Sequence, residues 1–346
     1  MIDESKNAMA AKTKAIYAKR LKENDYNNLL AKKSVAEIAS YLKNETYFKD
    51  SLEGINEKAL HRGQLEVIIR NDLIHRLSRV LRYGDNRNES FYNIIVTRSE
   101  INLVITSIRA LISNEYEALV VKLPIAIENQ MCFDIKKMAN CRSFEELLAI
   151  LKGTPYYKIV IKYQLTNMSD FDFVGLEEEL QRHYYDMVMK LVNYSFKDKE
   201  NKKAIEEIFY TEVELDNISK IYRLKKYFNA PQDKIKAMMT PIYLKLTKND
   251  LEDLIDNVDA DNIFDRLNKT AYKGYLKDTN FIFIEHTAEM IKNNLNRKHL
   301  LFSSDSDLVL LTYMTLMDIE IKNIIEIIEG VRYNIPSEQI KRMLIY

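Results

Sequence analysis

A tandem repeat constrains the fold of this chain more than any other feature of its sequence, since three copies of one pattern must each specify the same local structure. The pattern stands at Leu42-Lys43-Asn44-Glu45-Thr46-Tyr47, at Leu151-Lys152-Gly153-Thr154-Pro155-Tyr156 and at Leu267-Asn268-Lys269-Thr270-Ala271-Tyr272, with Tyr five residues after Leu each time. Eight residues before each Leu stand Ser34, Ser143 and Asp259, whose side-chain oxygens can accept from the free N–H groups of a helix start. Glu37 and Glu146 follow the serines by three, the spacing of a capping box, and Asn262 takes that place in the third copy. Ile38, Leu147 and Ile263 precede the repeat Leu by four, so each copy is expected to hold a short helix with one apolar face.

A second element closes two of the copies. Segment 229–239 aligns without a gap on segment 334–344, with Asn229/Asn334, Pro231/Pro336, Ile235/Ile340, Lys236/Lys341 and Met238/Met343 identical. It reads as a helix end, a Pro that prevents continuation, and a new short helix with Ile and Met turned inward. Upstream lie Glu214-Leu215-Asp216-Asn217-Ile218 and Glu320-Ile321-Lys322-Asn323-Ile324, with Asn102-Leu103 a weaker echo, and the first copy has no Asn-x-Pro. A long helix follows each Tyr motif: one lined by Ile69, Leu73, Leu77, Val80 and Leu81, the others near Leu176–Asn193 and Ile284–Leu295. Only seven Gly and five Pro punctuate 346 residues. The expected class is therefore all-α, and Lys158–Tyr163, the best strand candidate, is discounted in this helical context. Copies about 105 to 116 residues apart are too long for solenoid units. They predict three similar helical lobes, 1–125, 126–240 and 241–346, packed directly on one another. The polar stretches Gly84–Asn88 and Lys197–Lys203 are read as turns between helices.

Groups suited to catalysis are scattered. His61, His75, His183, His286 and His299 show no metal-site or nucleophile-partner spacing and are read as surface or capping residues. Neither a Walker-type loop nor a Gly-x-Gly-x-x-Gly run occurs. Asp256–Asn262 lacks the Gly and Glu of a calcium loop, and Asp259 is already accounted for as a cap. Cys132 and Cys141 are read as small apolar residues. Tyr47, Tyr156 and Tyr272 are expected to share one structural position, an aromatic body filling a gap with its hydroxyl on a polar partner. With 51 basic and 51 acidic side chains no global field favours nucleic acid. The strongest local basic stripe, Arg76, Arg79 and Arg82, is the candidate partner contact, and its plain alternative is a solvated helix face. No apolar run approaches a membrane span, and the N-terminus lacks a signal-peptide core, so a soluble intracellular protein is expected.

The repeat at Leu42, Leu151 and Leu267, together with Glu320–Ile324 and Asn334–Ile340, resembles the AC39 family of V-type and A-type ATPases, known as the C subunit or, in eukaryotes, the d subunit. The resemblance covers essentially the whole chain. In the first copy Glu45 stands where the others have Thr. The resemblance implies a pseudo-threefold funnel on the cytoplasmic side of the membrane, a central-stalk rotor component joining the D–F shaft to the membrane proteolipid ring. It implies transmission of torque coupling ATP synthesis or hydrolysis to H+ or Na+ transport, with no catalytic, cofactor or metal residues, no nucleic acid and no small-molecule substrate. The competing reading is a helical-repeat scaffold for a protein or nucleic-acid partner.

Overall fold

The structure, a computed structural model, describes residues 2–81, 89–116, 119, 123, 125–164, 171–195, 198–276 and 283–346, and every regular element among them is helical. From the N-terminus come α1 (Ile2–Tyr17), α2 (Glu23–Leu30), α3 (Val35–Glu45), α4 (Lys49–Leu52), α5 (Arg62–Leu81) and α6 (Glu89–Ser113). Next are α7 (Ile135–Asn140), α8 (Phe144–Leu151), α9 (Tyr157–Val160), α10 (Phe173–Ser195), α11 (Lys199–Phe228) and α12 (Gln232–Ala237). The last are α13 (Lys248–Asp256), α14 (Ile263–Leu267), α15 (Lys273–Leu276), α16 (Ile284–Phe302), α17 (Ser306–Arg332) and α18 (Ser337–Met343). One order of elements thus recurs: three short helices, then two long ones. The discounted strand candidate is α9 followed by a 3-10 turn at Ile161–Tyr163.

The local signals act much as their chemistry requires. The Ser34 and Ser143 hydroxyls accept from the amides of Glu37 and Glu146 at 3.2 Å each. Glu37 and Glu146 reach back one residue further than a capping box does, to the amides of Lys33 and Arg142. Asp259 departs from expectation: it precedes the 3-10 turn Ala260–Asn262, and its side chain makes no cap hydrogen bond. The third copy places its reciprocal capping box earlier, at Thr247 and Asp250. The apolar stripe is buried in every copy, with Ile38, Leu42, Leu147, Leu151, Ile263 and Leu267 no more than 2 % exposed.

Two compact units form. The first comprises Met1–Met9 and Ala31–Ser195, the second Ala10–Leu30 and Phe196–Tyr346. In the first, α6 packs along α10. In the second, α16 packs against both α11 and α17, over a core that includes Ile218, Ile221, Leu254, Ile263, Tyr272 and Ile284. The C-terminal helix α18 lies close against α17 because Gly330 has no side chain: a Cβ there would sit 2.3 Å from Ile340 Cδ1 and 2.6 Å from Cγ1. Gly330→Ala is expected to lose about 1–2 kcal/mol of stability despite the better helix propensity of Ala, because β-branched Ile340 cannot swing aside. Urea unfolding followed by far-UV circular dichroism measures the loss.

Each long terminal helix ends in a left-handed Asn, at Asn114 (φ 58°), Asn229 (φ 44°) and Asn334 (φ 54°). Asn tolerates this conformation better than other side-chain-bearing residues and stops the helix. The first copy therefore keeps the Asn of the helix-end element, while Tyr116 stands where the others have Pro. In the second and third copies the following segment packs inward, since Ile235 and Ile340 are both buried.

Candidate functional site

What the three copies share most closely is a buried carboxylate on the long terminal helix. Glu100, Glu214 and Glu320 are 5 %, 1 % and 5 % exposed. A carboxylate in such a place must have donors in exchange for its lost water, and each finds them on an element distant in sequence. Glu214 Oε1 accepts the amides of Leu244 (2.5 Å), Lys245 (2.9 Å) and Leu246 (3.0 Å), while Oε2 accepts the Tyr272 hydroxyl at 2.8 Å. Glu100 accepts the Cys132 amide and the Tyr156 hydroxyl, both at 2.5 Å. Glu320 accepts the Leu21 amide at 2.9 Å. Each acid fastens a helix to the loop that opens a set of short helices, α7 after Cys132, α13 after Leu246 and α2 after Leu21.

The phenols respond to this. Burial first, then Glu100, raises the Tyr156 pKa, and the same causes with Glu214 raise that of Tyr272. Tyr26 is raised mainly by burial and next by Glu320. Tyr156 and Tyr272 stay neutral donors, and the Tyr26 hydroxyl accepts from the Asn323 side-chain amide at 3.4 Å. Three residues beyond the acid, Asn217 and Asn323 clamp a passing backbone from both sides: Asn217 pairs with Thr240 at 2.8 and 3.1 Å, and Asn323 with Ile345 at 2.6 and 3.0 Å. The first copy has buried Leu103 at that place, and Asn102, its apparent echo in sequence, is exposed.

One expectation about the repeat is corrected. Tyr47 does not share the position of Tyr156 and Tyr272; Phe48 does, buried to 1 % exposure beside values of 1 % and 0 % for the tyrosines. The first copy is one residue longer. Gly153, separated from the end of α8 by one residue, takes φ 88°, whereas α3 continues through Glu45. The Thr that closes the turn, with its hydroxyl on the Leu carbonyl, is then Thr46, equivalent to Thr154 and Thr270. Tyr47 instead lies under the Arg76 guanidinium, 3.9 Å from ring centroid to Cζ.

The basic stripe divides. Arg76 is engaged within its own unit, donating to Asp72 at 2.5 Å and to the Tyr47 carbonyl at 2.7 Å. Arg79 is exposed. Arg82, with Arg87 and the Gly84–Asn88 loop, lies outside the described residues, as does Lys197 of the second loop. In the tempting acidic cluster, Asp256 pairs with Lys236 at 2.7 Å and Asp261 with Lys226 at 2.6 Å. Both cysteines are free thiols; Cys141 is buried, whereas Cys132 is exposed, contrary to its reading as an apolar residue.

Two histidines also depart from expectation. His286 is buried, and desolvation of its charged form lowers its pKa. His299 joins a polar cluster: Glu207 meets His299 Nε2 at 3.2 Å and Lys245 Nζ at 3.2 Å, and Lys245 donates to the Thr211 hydroxyl at 2.7 Å. The His299 contact first, then the Lys245 charge, outweighs burial and holds Glu207 at about 2. A depressed carboxylate stabilises the fold above its ordinary range near 4.5, and that contribution disappears as pH falls toward 2. Glu207→Gln is therefore expected to flatten the acid limb of the stability profile in that window and leave its neutral shape unchanged, as measured by urea midpoints across pH.

Among the described residues no helix is long and apolar enough to cross a membrane. The carboxylates of the repeat are acceptors already engaged by amides and phenols, so their chemistry is fastening. The family model for the ATP synthase (C/AC39) subunit matches residues 9–343. The chain is 24 % identical to the C subunit of the A-type ATP synthase of Archaeoglobus fulgidus, with 97 % of this chain and 95 % of that protein aligned. It is 24 % identical to the A-type ATP synthase C subunit of Pyrococcus horikoshii over 96 % of this chain and 88 % of the relative. It is 26 % identical to the A-type ATP synthase C subunit of Desulfurococcus sp. (strain SY) over 67 % of this chain, a match that spans only 60 % of that relative's length. A family match from Met9 to Met343, over a repeated helical body fastened by its own buried acids, means that the chain belongs to the ATP synthase (C/AC39) subunit family.

Proposed function

We propose that this protein is a non-catalytic rotor subunit of a V/A-type rotary ATPase, a socket that joins the D–F shaft to the membrane proteolipid ring and carries torque between them. The family match over residues 9–343 carries this reading. The repeated latches support it, because a part that transmits force must hold its helices in register under load. A buried carboxylate with several donors resists sliding in a way that apolar packing, which is non-directional, does not. In this reading the chain has three lobes, 1–125, 126–240 and 241–346, in pseudo-threefold order around the socket. It works on the cytoplasmic side of the membrane, coupling ATP synthesis or hydrolysis to H+ or Na+ transport without binding a cofactor of its own.

The Arg76, Arg79 and Arg82 stripe remains the proposed partner contact, and exposed Arg79 is the member whose replacement tests it most cleanly. The decisive experiment is co-expression of the chain with its D–F pair and proteolipid ring, followed by purification on a tag placed on the shaft. Recovery of all components in one complex is the expected result. A chain that binds neither shaft nor ring, while remaining folded by circular dichroism, overturns the assignment and favours the scaffold reading. Arg79→Glu is expected to weaken shaft binding with a marked salt dependence.

A further inference from the structure

Thr240 and Ile345 occupy one place in successive copies, each held by the Asn three residues after the latch acid. Beyond Thr240 the chain runs on covalently through Pro241 to Leu246, whose amide lies on Glu214 and whose side chain is 2 % exposed. Beyond Ile345 and Tyr346 the same role falls to Leu21, whose amide lies on Glu320 and whose side chain is 4 % exposed. A helix follows within two residues in both cases, at Lys248 and at Glu23. A place filled by the next few residues in one copy is thus filled in the other by a segment from far earlier in the sequence.

We propose that Ala10–Leu30 is a strap seated in a groove of the second unit, and that this groove is a recognition site for a helical segment of that sequence, released and rebound as one piece. The strap has a designed underside: Ala10, Thr13, Tyr17 and Leu21, spaced three and four apart, are all buried. It is fastened at three places on the unit. Lys14 Nζ donates to the carbonyls of Leu301 (3.2 Å) and Ser303 (2.7 Å) at the end of α16. Glu320 holds Leu21 at mid-strap, and Tyr26 stacks on Tyr346 with centroids 4.9 Å apart. A segment held by side-chain contacts opens as its own cooperative piece, below the free energy of global unfolding. The loop at Leu244–Leu246, continuous with the core helices on both sides, does not. Once vacated, the groove accepts an identical segment from solution or from a second molecule.

Native-state hydrogen exchange on the full chain tests the first part. The amides of Tyr17–Leu21 are expected to exchange roughly 100-fold faster, after correction for intrinsic rates, than those of Leu244–Leu246, and with a weaker dependence on urea. Glu320→Gln is expected to speed strap exchange by about tenfold and leave 244–246 unchanged; Glu320→Ala gives a larger effect if it folds, and the Gln variant decides the matter if it does not. A fluorescent synthetic peptide of residues 10–30, added to full-length Glu320→Gln protein, tests the second part. It is expected to be taken up at the strap-opening rate, to be displaced by unlabelled peptide, and to be ignored when its sequence is scrambled. Equal exchange of the two segments with equal urea dependence, or no peptide uptake where exchange shows opening, overturns the proposal.

Discussion

Glu214→Ala is expected to be among the most damaging single changes in the second unit, lowering its stability by about 4 kcal/mol and its melting temperature by roughly 8–16 °C. The reason is the number of groups that depend on one side chain. Three consecutive amides, Leu244, Lys245 and Leu246, and the Tyr272 hydroxyl all donate to Glu214. Ala leaves the buried Leu246 amide and Tyr272 hydroxyl without an acceptor, at about 1–3 kcal/mol each, and frees the part-buried Leu244 and Lys245 amides, which water reaches more easily. Tyr272→Phe removes one donor and keeps the ring, so its cost is expected to be only about 1 kcal/mol. A double-mutant cycle between the two positions, followed by calorimetry, checks the coupling. A loss at Glu214 no larger than that of Tyr272→Phe would show that the backbone amides contribute nothing to the fastening.

Glu100→Gln is expected to make Cys132 about tenfold more reactive toward iodoacetamide at pH 8.5. Although the residue as a whole is exposed, the Cys132 thiol is pushed up to about 12, first by desolvation around the sulfur and then by the neighbouring Glu100 carboxylate. Gln keeps one acceptor oxygen for the Cys132 amide, can donate its NH2 group to the Tyr156 hydroxyl oxygen in place of the second carboxylate oxygen, and removes the negative charge. The desolvation of the sulfur persists, so the thiol descends only part of the way to its ordinary value. Cys141, whose pKa is raised chiefly by burial, serves as the internal control and should not change. Mass-spectrometric rates of alkylation at the two sites provide the measurement, and equal acceleration at both would indicate loosening of the whole unit instead of loss of a local charge.

Much of the helical layout was legible because its signals are short-range. Ser34 and Ser143 cap the helices their spacing assigned to them, and the apolar stripe one turn apart in each copy is buried. The Asn-x-Pro pairs mark helix ends because left-handed Asn and a following Pro act within a few residues of themselves. The latch acids were overlooked, though Glu214 and Glu320 begin the two runs singled out upstream of those ends and Glu100 stands two residues before Asn102. A glutamate on a long amphipathic helix ordinarily faces water. Nothing local distinguishes one that turns inward to meet a loop thirty residues away. The equivalence of Phe48 with the tyrosines was hidden by a single extra residue in α3, which an ungapped comparison cannot register.

Taken alone, the sequence determined the helical class, the starts capped by Ser34 and Ser143, the helix ends marked by the two Asn-x-Pro elements, and the resemblance that the family match supports. These depend on periodicity, capping and backbone preference, all of which act across one or two turns. Only the tertiary structure decided that three glutamates are buried, that Arg76 is committed to Asp72 and Tyr47, and that Ala10–Leu30 folds with the C-terminal half. Those outcomes turn on which distant groups arrive to replace lost water around a polar atom, and residue spacing carries no record of that.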